Sequence, residues 1–241
     1  MTRWEIKEHI GILTLDNPPG NYILEPEFVP LEQIKEWTTS AEIKGIMITG
    51  GGKHFSSGGD LSQLYEKIQK EVDLSDQMDR GKAVLDFLEN LNIPVLAAIK
   101  GICFGGGLEI ALASHIRVCS DSSLFALPES NYNLIPGLGG TVRLPERIGL
   151  PESLKLILGG DMISAEEALA LKLVDYVVPG TDLLDFAFRF LLKITRERPL
   201  KVIQSVMQIL KNSRLLPREE AMKEETRLFC ELALEEARRK N

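Results

Sequence analysis

Apolar and polar positions alternate along this chain in two rhythms. Residues 4–7 and 10–15 read as two short strands joined by a tight break. The runs 44–49 (KGIMIT) and 94–99 (PVLAAI) are unbroken and apolar, the pattern of strands buried on both faces of a parallel sheet. A further strand is expected at 116–119 (IRVC) and a last one at 174–178. Between them the spacing changes to that of helices, at 25–38 with Pro26 in its first turn, 60–68, 75–91 and 108–114. Glycine-rich loops punctuate the strand ends at 50–52, 58–59 and 105–107. Strand, glycine loop, helix and strand again predict an α/β layered domain with right-handed crossovers.

Beyond residue 149 the character changes. Ser164 and Glu167 form the ends of a capping box that opens a helix through 171. Periodicity then predicts helices at 181–195, 199–212 and 217–239, with proline at or near helix starts. Met222, Phe229 and Leu232 mark one face of the last of these. The reading is a core of residues 1–180 that carries the site, followed by a helical region, 181–241.

Composition narrows the function classes. A net charge of −7 over 241 residues speaks against nucleic acid as the main partner, because phosphate binding needs concentrated Lys and Arg. No stretch approaches the roughly 18 uncharged apolar residues of a membrane span. The amino-terminal segment alternates like a strand rather than a signal peptide, so the expected location is the cytoplasm. Cys103, Cys119 and Cys230 show no CxxC spacing and are expected as buried free thiols; no metal site is expected. The patterns GxSxG, GxGxxG and GxxxxGK[ST] are absent, so nothing argues for a nucleophile elbow, a dinucleotide or a P-loop nucleotide.

The chemistry-bearing residues concentrate in 101–143. Gly105, Gly106 and Gly107 precede Glu109, an ionisable group on an otherwise apolar helix. Glu129 follows Pro128 twenty residues later. The first glycine loop, HFSSGGD at 54–60, and this second one each follow a buried strand and precede a helix, where ligands of open α/β sheets bind. If the loops meet, one N–H from each can converge on a single oxygen, and losing one such donor costs ~3–4 kcal/mol of transition-state stabilisation. Taken singly, each loop is equally a tight turn, Glu109 a first-turn carboxylate favoured by the helix dipole, and Glu129 a loop ion-pair partner. Together the two acids allow one to deprotonate water while the other delivers a proton. Residues 136–140 open a further helix and shape a pocket wall. His54 reads as a surface residue beside the first loop, and His9 and His115 as structural.

At these residues the chain resembles the crotonase superfamily of enoyl-CoA hydratases and isomerases. The likeness rests on LDNPPGN, IMITGGGKHFSSGGDL, PVLAAIKGICFGGGLEIALASHIRV, FALPESNYNLIPGLGGTVRLPERIG and ISAEEALALKLVDYVV, in that order. It covers about residues 10–178, and the helical tail fits too. The resemblance implies a spiral of repeated ββα units, with carboxy-terminal helices that pack in a homotrimer or homohexamer. It also implies an acyl thioester substrate carried by coenzyme A or an acyl-carrier phosphopantetheine, and no cofactor besides that carrier. By the same resemblance Gly59 and Gly106 supply the oxyanion-hole N–H groups, and Glu109 and Glu129 are the hydratase carboxylates. Ser57, Gly58, Asp60, Leu61, Gly105, Pro136 and Gly137 would line the substrate, with 65–79 beside the acyl chain.

The implied reaction is the reversible hydration of a 2-enoyl thioester through an enolate. Double-bond isomerisation and thioester decarboxylation are the alternatives within the superfamily. A catalytically silent thioester-binding or RNA-binding relative is the alternative outside enzymes. Two departures stand out. The stretch between Asn21 and Lys44 is a few residues short, and the first loop reads SSGGD where AAGAD or SAGAD is more common, which adds hydroxyls near the acyl site.

Overall fold

A computed structural model of the chain describes residues 2–40 and 42–240. The outer limits of the two expected segments, residues 1 and 241, lie outside the described residues. The chain opens with an antiparallel pair, β1 (Thr2–Lys7) and β2 (Ile10–Leu15). Helix α1 (Leu31–Thr39) leads into β3 (Gly45–Gly50). Helices α2 (Leu61–Gln69) and α3 (Leu74–Glu89) precede β4 (Val95–Ile99), β5 (Ile102–Phe104) and α4 (Gly106–Leu112). After β6 (Ile116–Ser120) and β7 (Leu124–Ala126) comes a 3-10 turn, Pro128–Tyr132. Helices α5 (Gly140–Ile148) and α6 (Leu150–Gly159) follow, then β8 (Ile163–Ser164), α7 (Ala165–Ala170) and β9 (Tyr176–Val178). Helices α8 (Leu183–Thr195), α9 (Leu200–Leu215) and α10 (Arg218–Lys240) complete it.

The strands form two sheets. The larger has the order β1-β2-β3-β4-β6-β9, parallel from β2 onward; the smaller is β5-β7-β8. The chain therefore alternates: β4 and β6 lie in the large sheet, while β5 and β7, a few residues on, lie in the small one. That winding is the ββα spiral of the crotonase fold. Side chains leave a strand with period two, so a strand covered on both faces must be apolar at every position. Ile46, Ile48, Val95, Ala97 and Ile99 enter the main core on one face of the large sheet. Met47, Leu96 and Ala98 point the other way, onto Leu183, Ala187 and Leu191 of α8. Each such buried Val, Leu or Ile side chain contributes ~1.5–3 kcal/mol.

Several elements differ from the sequence-based expectation. The helix expected from residue 25 begins only at Leu31. Pro26 and Pro30 each disfavour helical backbone at the residue before them, and Val29 is drawn into the core. Strands β5 and β7 have three residues each, too few to display a period. The face of α10 marked by Met222 and Phe229 is exposed, and the buried positions are Ala221 and Leu228. Cys103 and Cys119 are buried thiols, whereas Cys230 is exposed. The capping box at Ser164 and Glu167 is present. No helix among the described residues is long and apolar enough to cross a membrane.

Helix α4 is buried along most of its length, because it threads the main core. Arg117, only 1% exposed, ties down its carboxy-terminal end. The guanidinium donates to the Ser114 carbonyl at 2.5 Å, the Ala111 carbonyl at 3.4 Å and the Leu173 carbonyl at 2.8 Å. The Asp175 carboxylate lies 3.5 Å away. Burial pulls the Arg117 pKa down to about 10, so the group stays charged at neutral pH. Removing it leaves the buried Ser114 and Leu173 carbonyls without this donor, and each unsatisfied buried acceptor costs ~1–3 kcal/mol. Arg117→Met should therefore lose about 3 kcal/mol or more in urea unfolding. A loss under ~1 kcal/mol would show that the carbonyls find other donors.

Candidate active site

The first glycine loop leaves β3 and is pinned from one side by the strap 20–23. Asn21, buried at positive φ, donates from Nδ2 to the Gly51 carbonyl at 2.7 Å and the His54 carbonyl at 2.8 Å. Its own carbonyl accepts from Ser56 Oγ at 2.7 Å, and that hydroxyl accepts the Gly58 N–H at 3.1 Å. Ile23 N–H donates to the Gly58 carbonyl at 2.9 Å, and Ser57 N–H to the Gly20 carbonyl at 2.8 Å. The Ser56 hydroxyl is thus held inside the loop. His54 is half-buried rather than a surface group, its Nδ1 accepting the Ile102 N–H at 3.2 Å.

The second loop lies directly against the first. Phe104 N–H donates to the Ser56 carbonyl at 3.0 Å, and Gly105 N–H to the Ala126 carbonyl at 2.9 Å. Both contact glycines have positive φ, +87° at Gly58 and +51° at Gly105. A Cβ at Gly58 would come within 2.8 Å of the Phe104 carbonyl oxygen, and one at Gly105 within 2.9 Å of Glu129 Oε1. Any side chain there would part the loops or displace the carboxylate. Gly59 faces open space, and Gly106 begins α4 beside Ile23 and Leu138. Among the described residues neither the Gly59 nor the Gly106 N–H has an intramolecular acceptor.

Glu109 sits in the first turn of α4 and is only 2% exposed. Its Oε1 accepts two backbone N–H groups, from Leu138 and Gly140, both at 2.7 Å. Those donors come from the amino-terminal edge of α5, whose dipole adds to the attraction. Burial pushes the Glu109 pKa up to about 7, and the nearby Glu129 charge adds to the rise. The Gly140 and Leu138 N–H groups and the Arg143 charge oppose it. The pKa of Glu129, on the 3-10 turn, is also raised by burial, and its buried Oε2 has no hydrogen-bond partner among the described residues. The two carboxylates flank Gly105 and Gly106: Cβ atoms built there would lie 2.9 Å from Glu129 Oε1 and 4.0 Å from Glu109 Oε2. Proton donors and acceptors with displaced pKa values beside unpaired N–H groups suit acid–base chemistry at a carbonyl compound.

The remaining expected site residues are distributed around this centre. Asp60 caps α2, accepting from Ser62 N–H at 2.9 Å and Gln63 N–H at 3.3 Å, with Leu61 next in line. Helix α2 buries none of its residues and exposes Tyr65 and Ile68. Pro136 and Gly137 lie on the loop that supplies the Leu138 donor, and a Cβ on Gly137 would sit 3.3 Å from Met78 sulfur. A cleft of about 1600 Å³ between α3, α5 and α9 runs behind this loop, and none of the two carboxylates or Gly59 and Gly106 lines it. Motif reading passed over Asn21 as a pin and the N–H groups of Leu138 and Gly140. Backbone donors leave no trace in residue identity.

A buried carboxylate with a raised pKa also affects stability. The folded pKa of about 7 exceeds the ordinary value of 4.5, so the fold binds the proton more tightly than the unfolded chain. Glu109 therefore stabilises fully below about pH 4.5 and loses that contribution as the pH climbs to about 7. The whole effect is about 3 kcal/mol. Gln accepts the same two N–H bonds without ionising. Glu109→Gln should thus gain stability over the native chain between pH 5 and pH 8, by up to about 3 kcal/mol in denaturant melts. A difference that does not change with pH would contradict the buried, displaced carboxylate.

With this geometry in place, comparison with known proteins places the chain. The sequence pattern of the enoyl-CoA hydratase/isomerase family matches residues 5–241. A probable enoyl-CoA hydratase of Bacillus subtilis (strain 168) is 33% identical across 94% of this chain and 88% of its own length. The fatty acid oxidation complex subunit alpha of Shewanella loihica is 40% identical across 85% of this chain, which spans 30% of that longer protein. The solved enoyl-CoA hydratase from Bacillus anthracis superposes with a TM-score of 0.84 at 27% identity, covering 95% of this chain and 89% of that one. The chain belongs to the enoyl-CoA hydratase/isomerase family, a branch of the crotonase superfamily.

Proposed function

We propose that the protein reversibly hydrates a 2-enoyl thioester, carried by coenzyme A or an acyl-carrier phosphopantetheine, to the 3-hydroxyacyl thioester. The observation that carries this reading is the pair of buried carboxylates on either side of Gly105 and Gly106, beside two N–H groups without acceptors among the described residues. In the proposed reaction the thioester oxygen accepts from the Gly59 and Gly106 N–H groups. Ionised Glu109, favoured in that form by its two N–H donors, takes a proton from water as the water oxygen bonds to C3. The C2–C3 π electrons move to the thioester oxygen, and the resulting enolate is held by the two N–H groups. Protonated Glu129, whose pKa is raised by burial, delivers its proton to C2 and the thioester carbonyl re-forms. A proton then returns from Glu109 to Glu129 by way of solvent. Water addition of this kind calls on no group besides the thioester carrier.

Further features of the reading concern the substrate and the assembly. The Ser56 hydroxyl is engaged with Asn21 and Gly58, which leaves half-buried Ser57 as the serine through which the first loop would offer a hydroxyl to the acyl chain. Exposed Val206, Leu210 and Phe229 on α9 and α10 support self-association through the carboxy-terminal helices into a trimer or hexamer.

Hydration of a short 2-enoyl thioester is the direct assay. Glu109→Gln and Glu129→Gln should each lower kcat by roughly 10²–10⁴-fold. The native pH profile of kcat/KM should fall on the acid side as Glu109, with its pKa of about 7, becomes protonated. Native rates in both variants would remove the carboxylates from the mechanism.

A further inference from the structure

Helix α5 carries a second charged group buried next to the site. Arg143 is 7% exposed, and its guanidinium reaches three ways. Nε donates to Glu89 Oε2 of α3 at 2.8 Å, Nη2 pairs with Asp86 of α3, and Nη1 donates to the Leu138 carbonyl at 2.9 Å. Leu138 is the residue whose N–H donates to Glu109 Oε1. The same arginine therefore grips one end of a residue whose other end holds the candidate base. The backbone around it is committed too, since the Arg143 and Val142 N–H groups both donate to the Gly139 carbonyl, at 2.9 and 3.1 Å.

We infer that Arg143 is a positioning residue for Glu109, anchoring the loop 138–140 to α3 so that both N–H donors stay aimed at the carboxylate. The inference rests on the proposed hydratase reading for its kinetic consequence, but its structural content is separate. Ion pairing alone does not account for the arrangement, since a salt bridge to α3 needs no contact with the Leu138 carbonyl. A guanidinium spreads its donors over three nitrogens of one rigid plane, a reach that the single nitrogen of an ammonium does not reproduce. The chain of contacts also extends outward. Arg214 of α9 lies 3.9 Å from Glu89 Oε1 and 2.5 Å from Glu146 of α5, so α9 touches the same anchor.

The charged groups facing this network come from every neighbouring element. Glu129 of the 3-10 turn and Arg143 face Glu109, with opposite effects on its proton affinity. Asp86 and Glu89 of α3 face Arg143, and Arg214 of α9 faces Glu89. His115, after α4, is held neutral by burial with a pKa of about 4, and Nε2 lies 3.1 Å from the Glu89 carbonyl. Arg147 of α5 lowers the proton affinity of His115 in turn. Loosening the loop weakens two hydrogen bonds that favour ionised Glu109, so its proton affinity must rise.

The test compares Arg143→Met, Arg143→Lys, Asp86→Asn and Glu109→Gln with the native chain. The Glu109 carboxyl titration is followed by 13C NMR on glutamate-labelled protein, the signal being assigned by its loss in Glu109→Gln. Kinetics of 2-enoyl thioester hydration are measured across pH in parallel. Arg143→Met should move the Glu109 midpoint upward by about one pH unit. It should lower kcat by roughly tenfold to a hundredfold, with KM nearly unchanged. Arg143→Lys should fall between it and the native chain, and Asp86→Asn should shift the midpoint the same way by less. A midpoint and kcat that stay native in folded Arg143→Met would overturn the inference. Should Arg143→Met fail to fold, native midpoints in both Arg143→Lys and Asp86→Asn would overturn it equally. Full hydration by Glu109→Gln would instead remove Glu109 from the proposed mechanism, no hydration by the native chain would remove the hydratase reading, and in either case the NMR midpoints would still decide the role of Arg143.

Discussion

One carboxylate oxygen organises this structure. Oε1 of Glu109 accepts N–H bonds from Leu138 and Gly140 inside an apolar core, where an ionisable group is otherwise expensive to bury. Two charge-assisted hydrogen bonds are what let the carboxylate ionise at all near neutral pH. Everything around it serves that geometry. Helix α4, buried in the main core, carries the carboxylate to the edge of α5, and Arg117 ties the far end of α4 to residues 173–175. The glycine at 140 leaves room: a Cβ there would stand 3.1 Å from Glu109 Oε1 and 3.0 Å from Pro136.

The sheets explain how two loops far apart in sequence meet. β3 and β4 are parallel neighbours, so their carboxy-terminal ends emerge side by side. The loop after β3 then lies on the segment after β4, bonded through Phe104 N–H and the Ser56 carbonyl. Asn21, arriving from β2 on the other side of β3, pins the first loop by donating from Nδ2 to two of its carbonyls and accepting the Ser56 hydroxyl at its own carbonyl. The Gly59 and Gly106 N–H groups, without an acceptor among the described residues, are held by the same scaffold, and under the proposed reading they would be in place before any ligand arrives. Such preorganisation is the physical basis of oxyanion stabilisation.

The family and the ββα spiral were legible in the residues because buried parallel strands must be apolar and tight loop contacts must be glycine. Runs such as GIMITG and the triplet at 105–107 leave little freedom of interpretation. The carboxylates were legible for the same reason, since a glutamate on the face of LEIALAS has no place in ordinary packing. What escaped notice was set by tertiary context. Strands β5 and β7 are three residues long and exist by pairing with each other, and α1 starts late because Pro30 and buried Val29 outweigh its local periodicity. The exposed Cys230 and the inward turn of Leu228 depend on which face of α10 meets α9, which charge and apolar spacing along one helix leave open. Arg143, Asp86 and Glu89 are ordinary charged residues in the sequence; only their convergence on the 138–140 loop gives them meaning.

The central claim is that this pair of glutamates adds water across an enoyl thioester rather than merely moving a proton. The most direct measurement is isotope incorporation by the native protein, with a 2-enoyl-CoA in water enriched in both 18O and deuterium, analysed by mass spectrometry. The account predicts a 3-hydroxyacyl product that carries one solvent oxygen at C3 and one solvent deuterium at C2. Deuterium exchange at carbon, with no solvent oxygen in any product, would contradict it.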